Sequence, residues 1–232
     1  MNALPHLLVA NAVWRRMGWP EELRGPMLLG SISPDAYRIT PGAGYRDTHF
    51  RHHTKLGQRQ GDFVRRYLHP AFEAQDGSAQ AFYAGWMTHL CADDVWRQRL
   101  RTELKALWDG VNHSSSEQAK QLKHIYRANC ARVDAELVRQ LGPQVQDIVW
   151  HLGEANAELN VGPIQVAAIT RWKQKTLIRN FNRPFDEKAP QIIDHNFVMR
   201  AMTAAEDEAA SILLWEARAT EPSVLIDSDI GQ

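Results

Sequence analysis

The chain is short of cysteine, of net charge and of long apolar runs, and each shortage argues against a class of protein. Cys91 and Cys130 are the two cysteines in 232 residues. Both fall in helical patterns and read as reduced, semi-buried positions, not as part of a disulfide framework. Lysine plus arginine equals aspartate plus glutamate at 27 each, so the basic excess of a general nucleic-acid binder is missing. A small local site for a phosphate ester remains compatible with that balance. No stretch approaches the roughly 18 apolar residues of a membrane-spanning helix. The opening "MNALPHLLVANAVWRRMGWP" puts Arg15 and Arg16 after a short apolar run, the reverse of a secretory signal, and the expectation is a cytoplasmic protein. Internal repeats, low-complexity tracts and convincing strands are lacking too. So is the contiguous His-Asp pair of the histidine–aspartate phosphohydrolases, since Asp194-His195 has the opposite order.

What the chain does contain is helical periodicity. The length suffices to bury a substantial core, and the expected fold is all-α: one bundle-like domain over residues 1–218, of seven or eight helices, with a loose tail over 219–232. Leu4, Leu7, Leu8, Val13 and Met17 mark a first helix that carries His6. Residues 18–47 are rich in proline and glycine and predict a mostly irregular segment, with a short helix through "PMLLGSIS" that Pro34 stops. "GQRQGDFVRRYL" reads as a helix closed by Pro70. The stretch 79–107 reads as one long helix. Serines 114–116 with Glu117 form a capping pattern for the next helix, which runs to Gly142-Pro143. Three more helices follow, two of them with proline at the first turn.

Within the long helix, "GWMTHLCADDVW" places His89 and Asp93 one turn apart, on one face, beside Phe82, Trp86 and Trp96. A carboxylate in such company needs a partner, because an unpaired buried charge costs several kcal/mol. Arg97, four residues on, is one candidate partner, and a metal ion is the other. Cys91 is two positions from His89, faces elsewhere and is a poor co-ligand. His6, Asp35 and His49 lie elsewhere in the first hundred residues. Imidazoles and carboxylates together suit zinc, or manganese or iron where carboxylates dominate. Spacing alone leaves their convergence open.

Four ordered segments carry a resemblance: "LPHLLVANAV", "LLGSISPDAYR", "DTHF" and "GWMTHLCADDVW". Together they resemble the zinc-dependent phospholipase C family, in particular its uncharacterised bacterial branch; the wider superfamily includes the single-strand-specific fungal nucleases. The likeness covers residues 4–97, and the order of motifs and the step from Asp35 to His49 match the family. It implies an all-α phosphoesterase whose metal ligands are His6, Asp35, His49, His89 and Asp93. Asp35, His49, His89 and Asp93 are expected around one ion, with His6 and a shared Asp93 at a second. Asp35 is a candidate base, Arg97 a candidate phosphate contact, and the substrate a small phosphate ester or phospholipid head group.

The chain also departs from that family. Met1 precedes His6 by five residues, and Arg99 stands where the family has a further histidine six positions after the helix aspartate. His113 and Glu117 have the spacing of the next ligand pair. A straight helix from His89 to Leu107 would end ~27 Å away, however, so "NHSSSEQ" reads better as a loop and cap. His151 with Glu154, or Asp194 with His195, could substitute only through folding. One or two zinc ions are expected, not three, with manganese or iron as alternatives. The rival reading is a non-catalytic helical protein with a structural metal site.

Overall fold

The computed structural model describes residues 2–51, 56–113, 117–181 and 192–220. Among these residues all regular structure is helical, apart from a single bridge between Val161 and Ile164. Helix α1 (Ala3–Met17) is buried on nearly every side, with Leu4, His6, Leu7, Leu8, Val9, Asn11 and Val13 inside. It ends where Gly18 takes φ +64°, a left-handed turn natural to glycine, and the Gly18 N–H closes on the Arg15 carbonyl at 3.1 Å.

The segment 18–47 is more ordered than its composition suggests. A 3-10 turn (Glu21–Leu23) leads into α2 (Arg24–Ile32), a second 3-10 helix (Ser33–Ile39) and the short α3 (Tyr45–Thr48). Two of its prolines open helical turns: Pro20 caps the first 3-10 turn and Pro34 sits in the first turn of the second. Early in a helix the missing N–H is no loss. Pro34 therefore ends α2 as expected, but the chain continues as 3-10 helix.

A second correction concerns Pro70. Helix α4 (Leu56–Phe63) passes through a π turn (Val64–Leu68) into α5 (His69–Glu73), so the helical path crosses the proline. The wider turn resets the register and makes Pro70 an early residue of a new helix, where its ring is tolerated. The long helix α6 (Gly77–Glu103) starts at Asp76, whose carboxylate accepts from Ala79 N–H at 3.0 Å. It breaks at Leu104, before α7 (Lys105–His113), instead of reaching residue 107 unbroken.

Helices α8 (Glu117–Gln140), α9 (Gly142–Glu154), α10 (Val166–Asn180) and α11 (His195–Ala219) complete the described chain. The helix count thus reaches eleven among the described residues, because short helices join the seven or eight long ones. Neither anticipated first-turn proline is found in that place: α10 begins at Val166, leaving Pro163 in the preceding turn, and Pro190 lies outside the described residues, whereas Pro143 stands in the first turn of α9. The serine cap at 114–116 and the tail from 221 also lie outside them; Ala219 itself still belongs to α11.

One apolar cluster runs through the helices, from Leu4 on α1 to Leu213 on α11. Its tightest crossing joins α2 to α6 at Gly30 and Gly85. A Cβ on Gly30 would lie 1.9 Å from the Phe82 carbonyl oxygen, and one on Gly85 the same distance from that of Met27. The two backbones touch, which is why both positions are glycine. No helix among the described residues is long and apolar enough to cross a membrane.

Candidate metal centre

Four elements bring the five anticipated ligands together. Helix α1 supplies His6, the 3-10 helix Asp35, the end of α3 His49, and α6 both His89 and Asp93. The α2–α6 contact carries the Ser31 carbonyl to His89 Nδ1 at 2.8 Å. A carbonyl only accepts, so His89 keeps its proton on Nδ1, and in the neutral ring Nε2 carries the lone pair. Trp86, one turn back on α6, donates Nε1–H to the Thr48 carbonyl at 3.1 Å and pins the backbone beside His49. The Thr48 hydroxyl lies 2.8 Å from His49 Nδ1 and donates to the Tyr45 carbonyl at 3.4 Å. With the hydroxyl hydrogen on that carbonyl it accepts from Nδ1–H, the tautomer in which His49 too presents Nε2 as an acceptor.

The two Nε2 atoms face each other at 3.1 Å. Two lone pairs that close repel unless a proton or a cation lies between or beside them. Ligand atoms sharing an ion at bond lengths of about 2.0–2.2 Å keep roughly such a separation. Two trios have ligand atoms all within 4.8 Å of one another: Asp35 with His49 and His89, and His6 with His89 and Asp93. Ring orientation separates them. The His49 and His89 rings meet at 68°, so their in-plane lone pairs converge. The His6 and His89 rings are stacked, 3.9 Å apart and 11° from parallel; their lone pairs run side by side and do not meet at one ion. His6 instead turns Nε2 toward Asp93 Oδ1 at 3.7 Å. Neither of its ring nitrogens has a hydrogen-bond partner, although the side chain is 1 % exposed. A buried imidazole left unsatisfied in this way fits a ligand better than a packing residue.

Charge agrees with that reading. Burial, then the neighbouring His89, pushes the pKa values of His6 and His49 well below the ordinary histidine value, so both rings are neutral at neutral pH. Burial alone would raise the Asp93 carboxyl. The attraction of imidazoles protonated at the acid end of the titration outweighs it and holds the group well below the usual carboxylate range. Neutral imidazoles beside an ionised carboxylate form the donor set a divalent transition metal takes.

Arg97 also pairs with Asp93, at 2.7 Å, and reaches Asp94 at 3.5 Å. The arginine partner anticipated for Asp93 is therefore present. Glu103 does not contact Arg97; it pairs with Arg200 at 2.8 Å and with Arg99, so the residue replacing the family's further histidine is committed to an ion pair. His151 lies away from the centre, 2.9 Å from Glu21, and shares a separate cleft with Glu154. Asp194 caps α11 by accepting from Phe197 N–H at 2.6 Å. Glu117 is an exposed partner of Lys120, and the side chain of His113 lies outside the described residues. None of the described ones joins either trio.

Sequence reading missed the residues that orient the ligands. Arg38 holds Asp35 at 3.0 Å with its side chain 52 % exposed, and its spacing of three from Asp35 was an available signal. Tyr45, four before His49, lays its ring 3.9 Å from that imidazole and donates to Asp93 Oδ2 at 3.0 Å. Ser31 acts through its backbone carbonyl, for which no side-chain signal exists. No protein-family model, curated protein or solved structure matches the chain. The resemblance to the phospholipase C family therefore rests on its four motifs.

Proposed function

We propose that the protein is a metal-dependent phosphoesterase, with zinc the favoured ion, acting on a phosphodiester or phosphomonoester. The observation that carries this reading is the approach of Asp35, His49 and His89 to within 4.8 Å, with both imidazoles turned so that Nε2 faces the common point. Two histidines and one carboxylate are a ligand set that leaves a coordination position open. When bound, such an ion lowers the pKa of water toward about 7 and neutralises charge on phosphoryl oxygens.

The chain's own residues supply the rest. Ser31 and Thr48 fix the tautomers of His89 and His49. Arg38 is the half-exposed cation beside Asp35, stacked near Tyr37 and Trp172, and it is placed to bind a phosphate oxygen. It takes over the role anticipated for Arg97, which is engaged with Asp93 and Asp94. Asp35, anticipated as a base, is held by Arg38 and is assigned here as a ligand.

Elemental analysis of protein purified without added metal, followed by hydrolysis of bis(p-nitrophenyl) phosphate and p-nitrophenyl phosphate, tests the proposal. Bound transition metal together with chelator-sensitive turnover supports it. Protein that binds neither zinc nor manganese sinks it. A structural metal site is the second reading, and the burial of His6, His49 and His89 to 1, 3 and 1 % favours it. It is distinguished by His89→Ala: a structural ion is lost together with the fold, and a catalytic one is lost from a folded protein.

A further inference from the structure

We propose that the substrate carries a second anionic group, a phosphate or a carboxylate, and that Lys175 selects for it. The inference rests on the phosphoesterase reading above and narrows its substrate class. Helix α10 packs against the 3-10 helix that bears Asp35, so two distant parts of the chain share the rim of the centre. Tyr37 stands edge-on to His49, with ring centres 5.9 Å apart at 87°. Beside it Arg38 holds Asp35 and lies 5.9 Å from the centre of the Trp172 ring. Lys175 places Nζ 5.6 Å from the centre of that same ring.

The charges on this rim are unequally matched. Arg38 is balanced by Asp35 at 3.0 Å. Lys175 rests against the indole and pairs with no acid among the described residues. Its neighbour Lys173 is committed elsewhere, to the Gly153 and Ala155 carbonyls at 2.8 and 2.7 Å. From Val166 to Ile178 the helix holds Arg171, Lys173 and Lys175 and no acid. The side of the rim formed by α10 is therefore positive, and Lys175 is its cation next to Arg38.

That arrangement discriminates between substrates. A phosphate ester whose phosphoryl oxygens meet Arg38 extends across Trp172 toward Lys175. A negative group at its other end gains a charge-assisted hydrogen bond from the ammonium. A neutral tail gains nothing there. A cationic head group faces positive charge and is disfavoured.

Calorimetry on the zinc-loaded full chain tests this with phosphonates that differ in their tails. Propylphosphonate has a neutral tail, phosphonobutyrate a carboxylate, trimethylene diphosphonate a second phosphonate and aminopropylphosphonate an ammonium. Zinc content is read after each titration. At least one of the two doubly anionic ligands should bind about tenfold tighter than propylphosphonate, and the larger advantage names the group. Aminopropylphosphonate should bind more weakly than propylphosphonate. Lys175→Met should remove the advantage without altering propylphosphonate affinity, and Lys175→Arg should keep it, a pattern that a merely structural lysine would not give. Equal affinities for the anionic and neutral tails, or an advantage that survives Lys175→Met, overturn this inference alone. An unaltered protein that binds none of the phosphonates overturns the phosphoesterase reading and the inference with it.

Discussion

Replacing Gly85 by alanine tests whether the α2–α6 backbone contact is what builds the centre. The new Cβ would stand 1.9 Å from the Met27 carbonyl oxygen, 2.8 Å from its carbon and 2.9 Å from the Ser31 nitrogen. An ordinary carbon–oxygen contact is about 3.3 Å, so the helices must part by roughly 1.4 Å. All three obstructing atoms are backbone, and no side chain can rotate away. Overpacking of this kind costs about 3 kcal/mol, the top of its usual range. The helix propensity gained over glycine returns about 1 kcal/mol. The net loss of about 2 kcal/mol should lower Tm by roughly 4–8 °C in a chain of this size. Parting the helices also draws the Ser31 carbonyl away from His89 Nδ1, now 2.8 Å distant. Zinc affinity should therefore fall by about tenfold or more. Gly153→Ala is the matched control: it lies in α9 with nothing within 4 Å of its added Cβ, and it should stabilise by about 0.4–1 kcal/mol. Thermal unfolding and chelator competition read both effects. A Gly85→Ala protein as stable as the original, with unchanged zinc affinity, would refute the reasoning.

The metal-free protein should lose stability as pH falls below about 6.5, the ordinary histidine value. The folded-state pKa values of His6 and His49 are depressed by burial, so the unfolded chain takes up protons first and the loss continues down to those depressed values. Urea unfolding between pH 8 and 5 measures this, and stability rising toward acid would contradict it. Arg38→Ala should weaken competitive inhibition by inorganic phosphate about tenfold, the loss of a charge-assisted bond, while zinc content stays the same; an unaltered inhibition constant removes Arg38 from substrate binding. His89→Ala should empty the centre of metal, as read by elemental analysis. Full retention of the ion would exclude His89 as a ligand.

The helices were legible because burial leaves a period in the sequence. Leu4, Leu7, Leu8 and Val13 mark α1, and the run around Trp86 marks α6. Prolines misled because the same residue can end one helical turn or open the next, and only the register before Pro70 or Pro34 decides which. The approach of Asp35, His49 and His89 was not legible from spacing, since it depends on where α2 crosses α6. Motif order implied it; Gly30 and Gly85 make it physically possible, by letting backbone meet backbone where a side chain would have held Ser31 away from His89. Least legible were the groups around the ligands. Tyr45 and Arg97 sit 52 residues apart in sequence and share one oxygen of Asp93. Arg97 was foreseen through its one-turn spacing from Asp93, because a helix fixes that distance in advance. Tyr45 was not foreseen, because nothing short of the tertiary fold brings α3 to α6.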